Sequence, residues 1–316
     1  MPEPLRFSLV VPVHNKGPHV ARAIESVLAQ SYPHFELLII DDASTDDSLQ
    51  AILKFEDERI RLLKRSTPGP GGYAARNLGV REAQHDWIAF LDADDEWTPE
   101  HLSRCADIIA AEPSARFIGA GFVYRDAQGE VLRVRCEPSA TLFERADFGA
   151  ILENMAFCVP TVVIRKELLI SAGGFPEGQM TRGGDIDTWL RVMERSNEVL
   201  LANHCAAIVY LAATNRVTQT CRYTEDEIRN TALKSMIDRH QGELKKQLKK
   251  FYNQAIVFAW QQNWQLGVKN NFSLLPRLYY TVEPLKYLSL GLVSLLPGRL
   301  PYYIFCKMLD LKAARV

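Results

Sequence analysis

The chain has 316 residues, 47% of them hydrophobic and 24% charged, with a net charge of -1. That length allows one large domain with an appendage, or two domains, with an ample core in either case. The near-neutral balance carries no basic footprint for nucleic acid, and no run of 18 or more apolar residues marks a membrane-spanning helix.

In chain order, Phe7 to Val13 is a continuous apolar strand with no secretory leader pattern around it. Pro18 to Ser31 follows as a helix with Val20, Ile24, Val27 and Leu28 on one face. Phe35 to Ile40 is the next strand. Ser44 with Asp47 three residues later then predicts a capped helix. Ile60 to Leu63 is a third strand, Tyr73 to Gln84 a third helix, and Trp87 to Leu91 a fourth strand. Thr98-Pro99-Glu100 reads as a helix start, with a cap, a proline in the first turn and an acid near the positive helix end.

Beyond residue 115 the alternation changes. Arg116–Tyr124 and Val131–Arg135 flank a turn and predict a hairpin. Residues 158–175 read as strand, short helix and glycine turn, followed by a glycine-rich loop and a helix from about Asp185. From Thr224 the chain reads as mainly helical, so the expected division is 1–215 and 216–316. Wholly apolar strands alternating with helices imply an α/β fold with a mostly parallel sheet covered on both faces. The six cysteines have no metal-ligand spacing, and reduced buried thiols are expected.

In such sheets ligands bind beyond the carboxyl ends of the strands. The residues there are unusually polar: His14 and Asn15, then Asp41 and Asp42, then Asp92, Asp94, Asp95 and Glu96. On an extended segment Asp92 and Asp94 share one face, and such oxygens suit a hard divalent ion that also holds phosphate. The competing reading is a solvated acidic turn capping the next helix. Asp41 and Asp42 can accept from a base or a ribose, or can serve only a capping loop. Gly69-x-Gly71-x-x-Ala74 overlaps a dinucleotide fingerprint but follows the third strand rather than the first. Its glycines instead predict a close approach of backbone to a ligand, with Arg76 near a phosphate and Asn77 bonded within the fold. Asp185 and Asp187 open a helix, where either can cap it or take a proton from an acceptor hydroxyl.

The ordered set LVVPVHN, LLIIDDASTDDS, GGYAARNLGV, WIAFLDADD and GGDIDTWLRV resembles the family 2 glycosyltransferases, inverting enzymes of the GT-A fold, over about Phe7 to Leu211. The resemblance implies a nucleotide-sugar donor, UDP-linked, and a glycan or lipid-linked acceptor in cell-envelope or surface-polysaccharide synthesis. It places Pro12 and Asn15 beside the nucleotide, Asp41 or Asp42 at the base, Asp92 at the ribose and Asp94 at a Mn2+ or Mg2+ ion. Asp185 corresponds to the family's general base. Two departures stand out. Gly184 replaces the glutamate before that aspartate, and Leu211 and Ala213 follow Tyr210 where many relatives have Arg and His. A non-catalytic nucleotide-sugar or glycan-binding protein, or a dinucleotide enzyme built on the glycine loop, are the alternatives.

From Leu266 to the end, seven Lys/Arg face two acids among short apolar blocks, with Tyr279, Tyr280, Tyr287, Tyr302 and Tyr303 between Pro284, Pro297 and Pro301. Aromatic and basic residues on broken apolar segments predict a region lying in the membrane interface, on the cytoplasmic face. Packing against the enzyme's own sheet or a twin subunit is the other outcome.

Overall fold

The computed structural model describes residues 3–136, 141–216, 221, 232–265 and 278–282. Two compact units divide the chain, Met1–Arg216 and Val217–Val316.

The first unit is built on one sheet. Its opening strands are β1 (Phe7–Val13), β2 (Phe35–Asp42), β3 (Ile60–Arg65) and β4 (Trp87–Phe90), paired in parallel in the order β3-β2-β1-β4. Their linking helices are α1 (Val20–Leu28), α2 (Ser48–Ile52) and α3 (Tyr73–Glu82). A two-residue strand β5 (Glu96–Trp97) and helix α4 (His101–Ala111) come next. The hairpin appears as β6 (Phe117–Arg125) and β7 (Val131–Val134). Then follow β8 (Phe143–Asp147), α5 (Phe148–Glu153), β9 (Val162–Arg165), α6 (Lys166–Ser171), α7 (Gly184–Ser196) and β10 (Glu198–Tyr210). The sheet continues from β4 through β9, β6 and β10 to β5, and here parallel and antiparallel pairs mix.

Alternate side chains of each buried strand serve opposite layers. Leu9 and Val11 of β1, Leu37 and Ile39 of β2, and Trp87 and Ala89 of β4 join the apolar faces of α1 and α4 in one core. On the other side Phe90, Phe117, Phe175 and Trp189 form an aromatic cluster that seats α7. Trp189 and Leu190 of α7 are buried.

Two capping expectations are corrected. The second helix starts at Ser48, four residues past Ser44, and its N-cap residue Asp47 makes no side-chain cap. Asp46 takes that part, accepting from the Ser48 and Gly17 backbone N–H groups at 3.0 Å each, while Ser44 Oγ accepts from Asn15 N. Likewise α4 starts at His101, because Thr98 is spent on β10: its N–H donates to Ala206 O at 2.9 Å and its hydroxyl to Cys205 O at 2.7 Å. Among the described residues Cys105, Cys136, Cys158, Cys205 and Cys221 are free thiols; Cys105 is buried and the other four are half-buried.

In the second unit α8 (Ala232–Arg239) and α9 (Gly242–Gln265) pack together. Tyr279 docks on α9, where it stacks edge-on with Tyr252 and exchanges two hydrogen bonds with Asn253. Among the described residues no helix is long and apolar enough to cross a membrane. Tyr287, Tyr302, Tyr303 and the three tail prolines lie outside the described residues.

Gly79 marks how closely α3 lies on the sheet, since an added Cβ there would sit 2.5 Å from Val10 Cγ1 and 3.0 Å from Ile40 Cδ1. Gly79→Ala is therefore expected to destabilise the fold by about 1–3 kcal/mol despite alanine's better helix propensity. Urea unfolding of the two chains checks this, and an unchanged midpoint would contradict the packing.

Candidate active site

The site forms where the parallel strands end. β1 and β2 both leave the sheet through left-handed residues, Asn15 at φ 53 and Ala43 at φ 54. Asparagine tolerates that conformation, whereas alanine adopts it at a cost of about 1–2 kcal/mol. The two turns are laced together: Asn15 N donates to Ser44 Oγ at 3.1 Å, Thr45 N to Asn15 Oδ1 at 2.7 Å, and Lys16 N to Ser48 Oγ at 2.7 Å. Pro12, the last residue but one of β1, lies beside Gly72, whose added Cβ would lie 3.8 Å from its ring.

Each acid at this edge already has a cation or an N–H donor. Asp42 is buried and binds the Arg65 guanidinium through Oδ1 and Gly69 N, at 3.0 Å, through Oδ2. Asp41 accepts from Ser44 N at 3.1 Å through Oδ1. Arg76, on the first turns of α3, reaches Asp92 at 2.5 Å and Gly71 O at 3.0 Å. Lys16 Nζ sits 2.8 Å from Asp94 Oδ2 and donates also to Thr214 O at 2.9 Å and Asn215 O at 3.2 Å. Asp95 is buried and accepts from Tyr210 N at 3.1 Å; burial first, then the charges of Asp94 and Asp92, push its carboxyl well above the usual range.

The expected shared face of Asp92 and Asp94 is thus corrected. Residues 92–95 close a turn, with Asp95 N bonded to Asp92 O at 3.0 Å, so the two-residue alternation of a strand does not apply. Asp92 goes to Arg76 and Asp94 to Lys16 instead.

Asp185 stands in the first turn of α7, and burial raises its carboxyl above the usual range. The Ile186 N–H and the Arg76 charge pull it down, while Asp92 pushes it up, so the α7 terminus shares one electrostatic site with α3 and the β4 exit. Asp187 is committed elsewhere: it pairs with Arg191 at 2.8 Å, and Arg191 also binds the Gly174 carbonyl. Of the two acids, Asp185 is the one that faces the site charges.

The glycine loop accommodates the protein's own side chains. Gly71 and Gly72 take φ of 67 and 70, and an added Cβ on Gly71 would strike the Tyr73 ring at 2.4 Å. Tyr73 Oη in turn accepts from Gly184 N at 2.9 Å. Asn77 holds Phe175 by two bonds, 3.0 and 2.9 Å, as expected of a residue bonded within the fold.

Lys16, Arg65 and Tyr73 were not singled out from the sequence, although two carried a signal. Lys16 follows His14-Asn15 directly, and Arg65 ends the strand whose parallel register sets it opposite Asp42. A different cluster was missed altogether: His101, Cys105 and His204 hold their ligand atoms within 4.8 Å of one another. Burial lowers both imidazoles, His204 to about 4, and raises the Cys105 thiol.

Residues 8–171 match glycosyl transferase family 2. The chain belongs to that family. The chain is similar to TuaG of Bacillus subtilis, a glycosyltransferase named for teichuronic acid biosynthesis, 29% identical over 203 residues that cover 63% of this chain and 77% of that one. The succinoglycan biosynthesis protein ExoW of Rhizobium meliloti is 42% identical over 103 residues, 31% of this chain and 32% of ExoW. An uncharacterized Haemophilus influenzae glycosyltransferase is 31% identical over 51% of this chain, spanning 62% of its own length. In fold, the crystal structure of S. aureus TarS 1-349 in complex with UDP-GlcNAc superposes with a TM-score of 0.70 at 19% identity, covering 95% of this chain and 89% of that one.

The family glutamate has no room at position 184. A Cβ on Gly184 would lie 2.6 Å from both Tyr73 Cζ and Pro176 Cγ. Gly184→Glu is expected to cost about 1–3 kcal/mol through overpacking. Adding Tyr73→Ala removes one of the two clashes and leaves that with Pro176, so the double substitution should fall short of the sum of the singles by about 1 kcal/mol. Strict additivity in urea unfolding would refute the steric account.

Proposed function

We propose that this chain is an inverting glycosyltransferase that moves a sugar from a UDP-sugar to a hydroxyl of a glycan or lipid-linked acceptor in cell-envelope or surface-polysaccharide synthesis. The observation that carries this reading is the meeting of three charged pieces at one sheet edge: Asp92 with Arg76, Asp94 with Lys16, and the raised Asp185 carboxyl. The UDP-GlcNAc bound by TarS and the polysaccharides named for TuaG and ExoW support it.

The residue roles follow from what each group has free. Asp42 spends both oxygens on Arg65 and Gly69, so Asp41 is assigned to the base, with Pro12 and Asn15 flanking the nucleotide. Asp92 takes the ribose, and Arg76, which holds it, lies within reach of phosphate. Asp94 is assigned to Mn2+ or Mg2+. The Lys16 ammonium is a stand-in for such an ion: one carboxylate and two backbone carbonyls surround it, an all-oxygen set that suits a hard cation. When bound, the ion supplies Lewis-acid neutralisation of charge on the departing diphosphate.

The acceptor oxygen forms a bond to the anomeric carbon from the face opposite the diphosphate. The bond from that carbon to the phosphate oxygen breaks, its electron pair leaves on UDP, and the acceptor proton passes to Asp185. Burial suits Asp185 to this part, since a raised carboxylate is a stronger base. The alternative, a non-catalytic binding protein, drew on the missing glutamate, which the Tyr73 packing accounts for. The dinucleotide alternative drew on a glycine loop that wraps Tyr73 instead.

Diphosphate release from a panel of nucleotide sugars with Mn2+ tests the reading. Asp94→Ala and Asp185→Asn should each lower turnover by about 100-fold or more, the latter with donor binding kept by calorimetry. Donor binding without turnover in the unmodified chain, acceptors supplied, would leave only the binding-protein alternative. Asp185 works ionised, so activity falls as pH drops through its raised pKa. Asp92 raises that pKa, so Asp92→Asn should move the acid limb of the pH profile to lower pH. A limb that stays or moves up would remove Asp185 as the base.

We also place residues 266–316 on the cytoplasmic membrane surface, supported by their basic and tyrosine-rich composition. The full chain should float with anionic liposomes, and Lys286→Gln with Arg299→Gln and Lys307→Gln should weaken that flotation. Flotation that ignores both lipid charge and these substitutions would discard the membrane contact.

A further inference from the structure

From the geometry of α4 and β10 we infer a zinc-class metal site formed by His101 Nδ1, Cys105 Sγ and His204 Nε2, separate from the residues assigned to donor and acceptor. His101 and Cys105 are four apart on α4, which sets them one above the other on a single face. His204 comes to them from the sheet. The β10 to β6 pairing shifts register between Ala202 and Cys205 and again between Cys205 and Ala207, so His204 sits in a bulge. A bulge frees a side chain from strict alternation and re-aims it. Thr98, three residues before α4, is bonded to the Cys205 and Ala206 carbonyls and fixes the helix start against that bulge.

The donor atoms already have the spacing that an ion needs. His101 Nδ1 and His204 Nε2 are 3.1 Å apart, Cys105 Sγ is 3.8 Å from His101 Nδ1, and all three lie within 4.8 Å. Around a tetrahedral zinc with its usual bond lengths, two nitrogens stand about 3.4 Å apart and a nitrogen and a sulfur about 3.6 Å. Hydrogen bonding alone leaves the cluster poorly satisfied. Facing imidazole nitrogens share one proton, and His101 Nε2 is buried without a partner. Coordination at Nδ1 places the ring proton on Nε2, where no acceptor lies within hydrogen-bond reach, so binding would draw on the three ligand atoms alone and not on a partner behind the ring.

Two imidazoles and a thiolate select a borderline ion such as Zn2+ over Mg2+ or Mn2+. His101 and Cys105 are fully buried while His204 is half-buried, which leaves a path for the ion and a position for water. The thiol proton is released on binding, so affinity rises with pH.

Such an ion would brace the glycosyltransferase site from behind. α4 begins six residues after Asp95, and β10 runs from His204 to Tyr210, whose N–H holds Asp95. The existence of the metal site does not rest on the transferase reading, and its test reads no turnover.

The full chain, stripped with chelator, is titrated with Co2+ alone. One equivalent should bind with a thiolate-to-cobalt charge-transfer absorption, and Zn2+ should displace it. Cys105→Ala should abolish the absorption, and His204→Gln, at a half-exposed position, should weaken binding by about tenfold or more. Asp94→Asn should leave the absorption unchanged. Zn2+ should raise the melting temperature of the unmodified chain more than that of His204→Gln. No charge-transfer absorption in the unmodified chain would overturn the site. So would an absorption that survives Cys105→Ala, or zinc stabilisation that is equal in His204→Gln.

Discussion

Compensation of negative charge at the ends of β1, β2 and β4 is the constraint on which the rest of the molecule turns. A buried carboxylate without a partner is costly, and here several converge within a few residues of one edge. The chain resolves the problem internally, with Arg65 on Asp42, Arg76 on Asp92 and Lys16 on Asp94. Those pairs explain local details that would otherwise look unrelated. Arg65 must end β3, Arg76 must lie in the first turns of α3, and α3 must approach the sheet through Gly79 for its guanidinium to arrive. The site is therefore a set of mutual ion pairs rather than an exposed acidic cluster.

An ionic ligand enters such a site by exchange. Under the roles proposed above, a nucleoside diphosphate would bring phosphate charge that competes for Arg76 and Lys16, and a divalent cation would compete with Lys16 for Asp94. Exchange of partners costs less than creating charge compensation anew, because each side chain keeps an opposite charge nearby throughout. On that reading donor and metal would be linked, since a cation on Asp94 would displace an ammonium that a phosphate could then accept. The Thr214 and Asn215 carbonyls, which share Lys16 with Asp94, connect the end of β10 to that exchange.

How much of this was legible in the sequence depends on range. The four parallel strands, the hairpin and α7 follow from apolar runs and periodicity, which are local signals, and the polar strand exits identified the edge where the charged residues meet. What failed was also local but decided by tertiary demand. Thr98 looks like a helix cap and instead ties α4 to β10, and Ser44 looks like one and instead accepts from Asn15. The turn at 92–95 defeated the strand alternation used to pair Asp92 with Asp94. Gly184 looked like a lost catalytic residue until the Tyr73 ring occupied its space. His101, Cys105 and His204 were beyond reach, because their meeting depends on a bulge that no spacing of residues announces.

The Gly184 case separates two meanings of a departure from a family pattern. A side chain absent with its space left open suggests lost function, since nothing has replaced it. A side chain absent because a neighbour fills the space suggests a rearranged site, and here the neighbour also bonds to the backbone that the missing residue would have used: Tyr73 Oη accepts from Gly184 N. That bond fixes the first turn of α7, and with it the backbone that carries Asp185. The aspartate is held in register by a tyrosine from the first turn of α3, so the contact that excludes the glutamate is the same contact that positions Asp185.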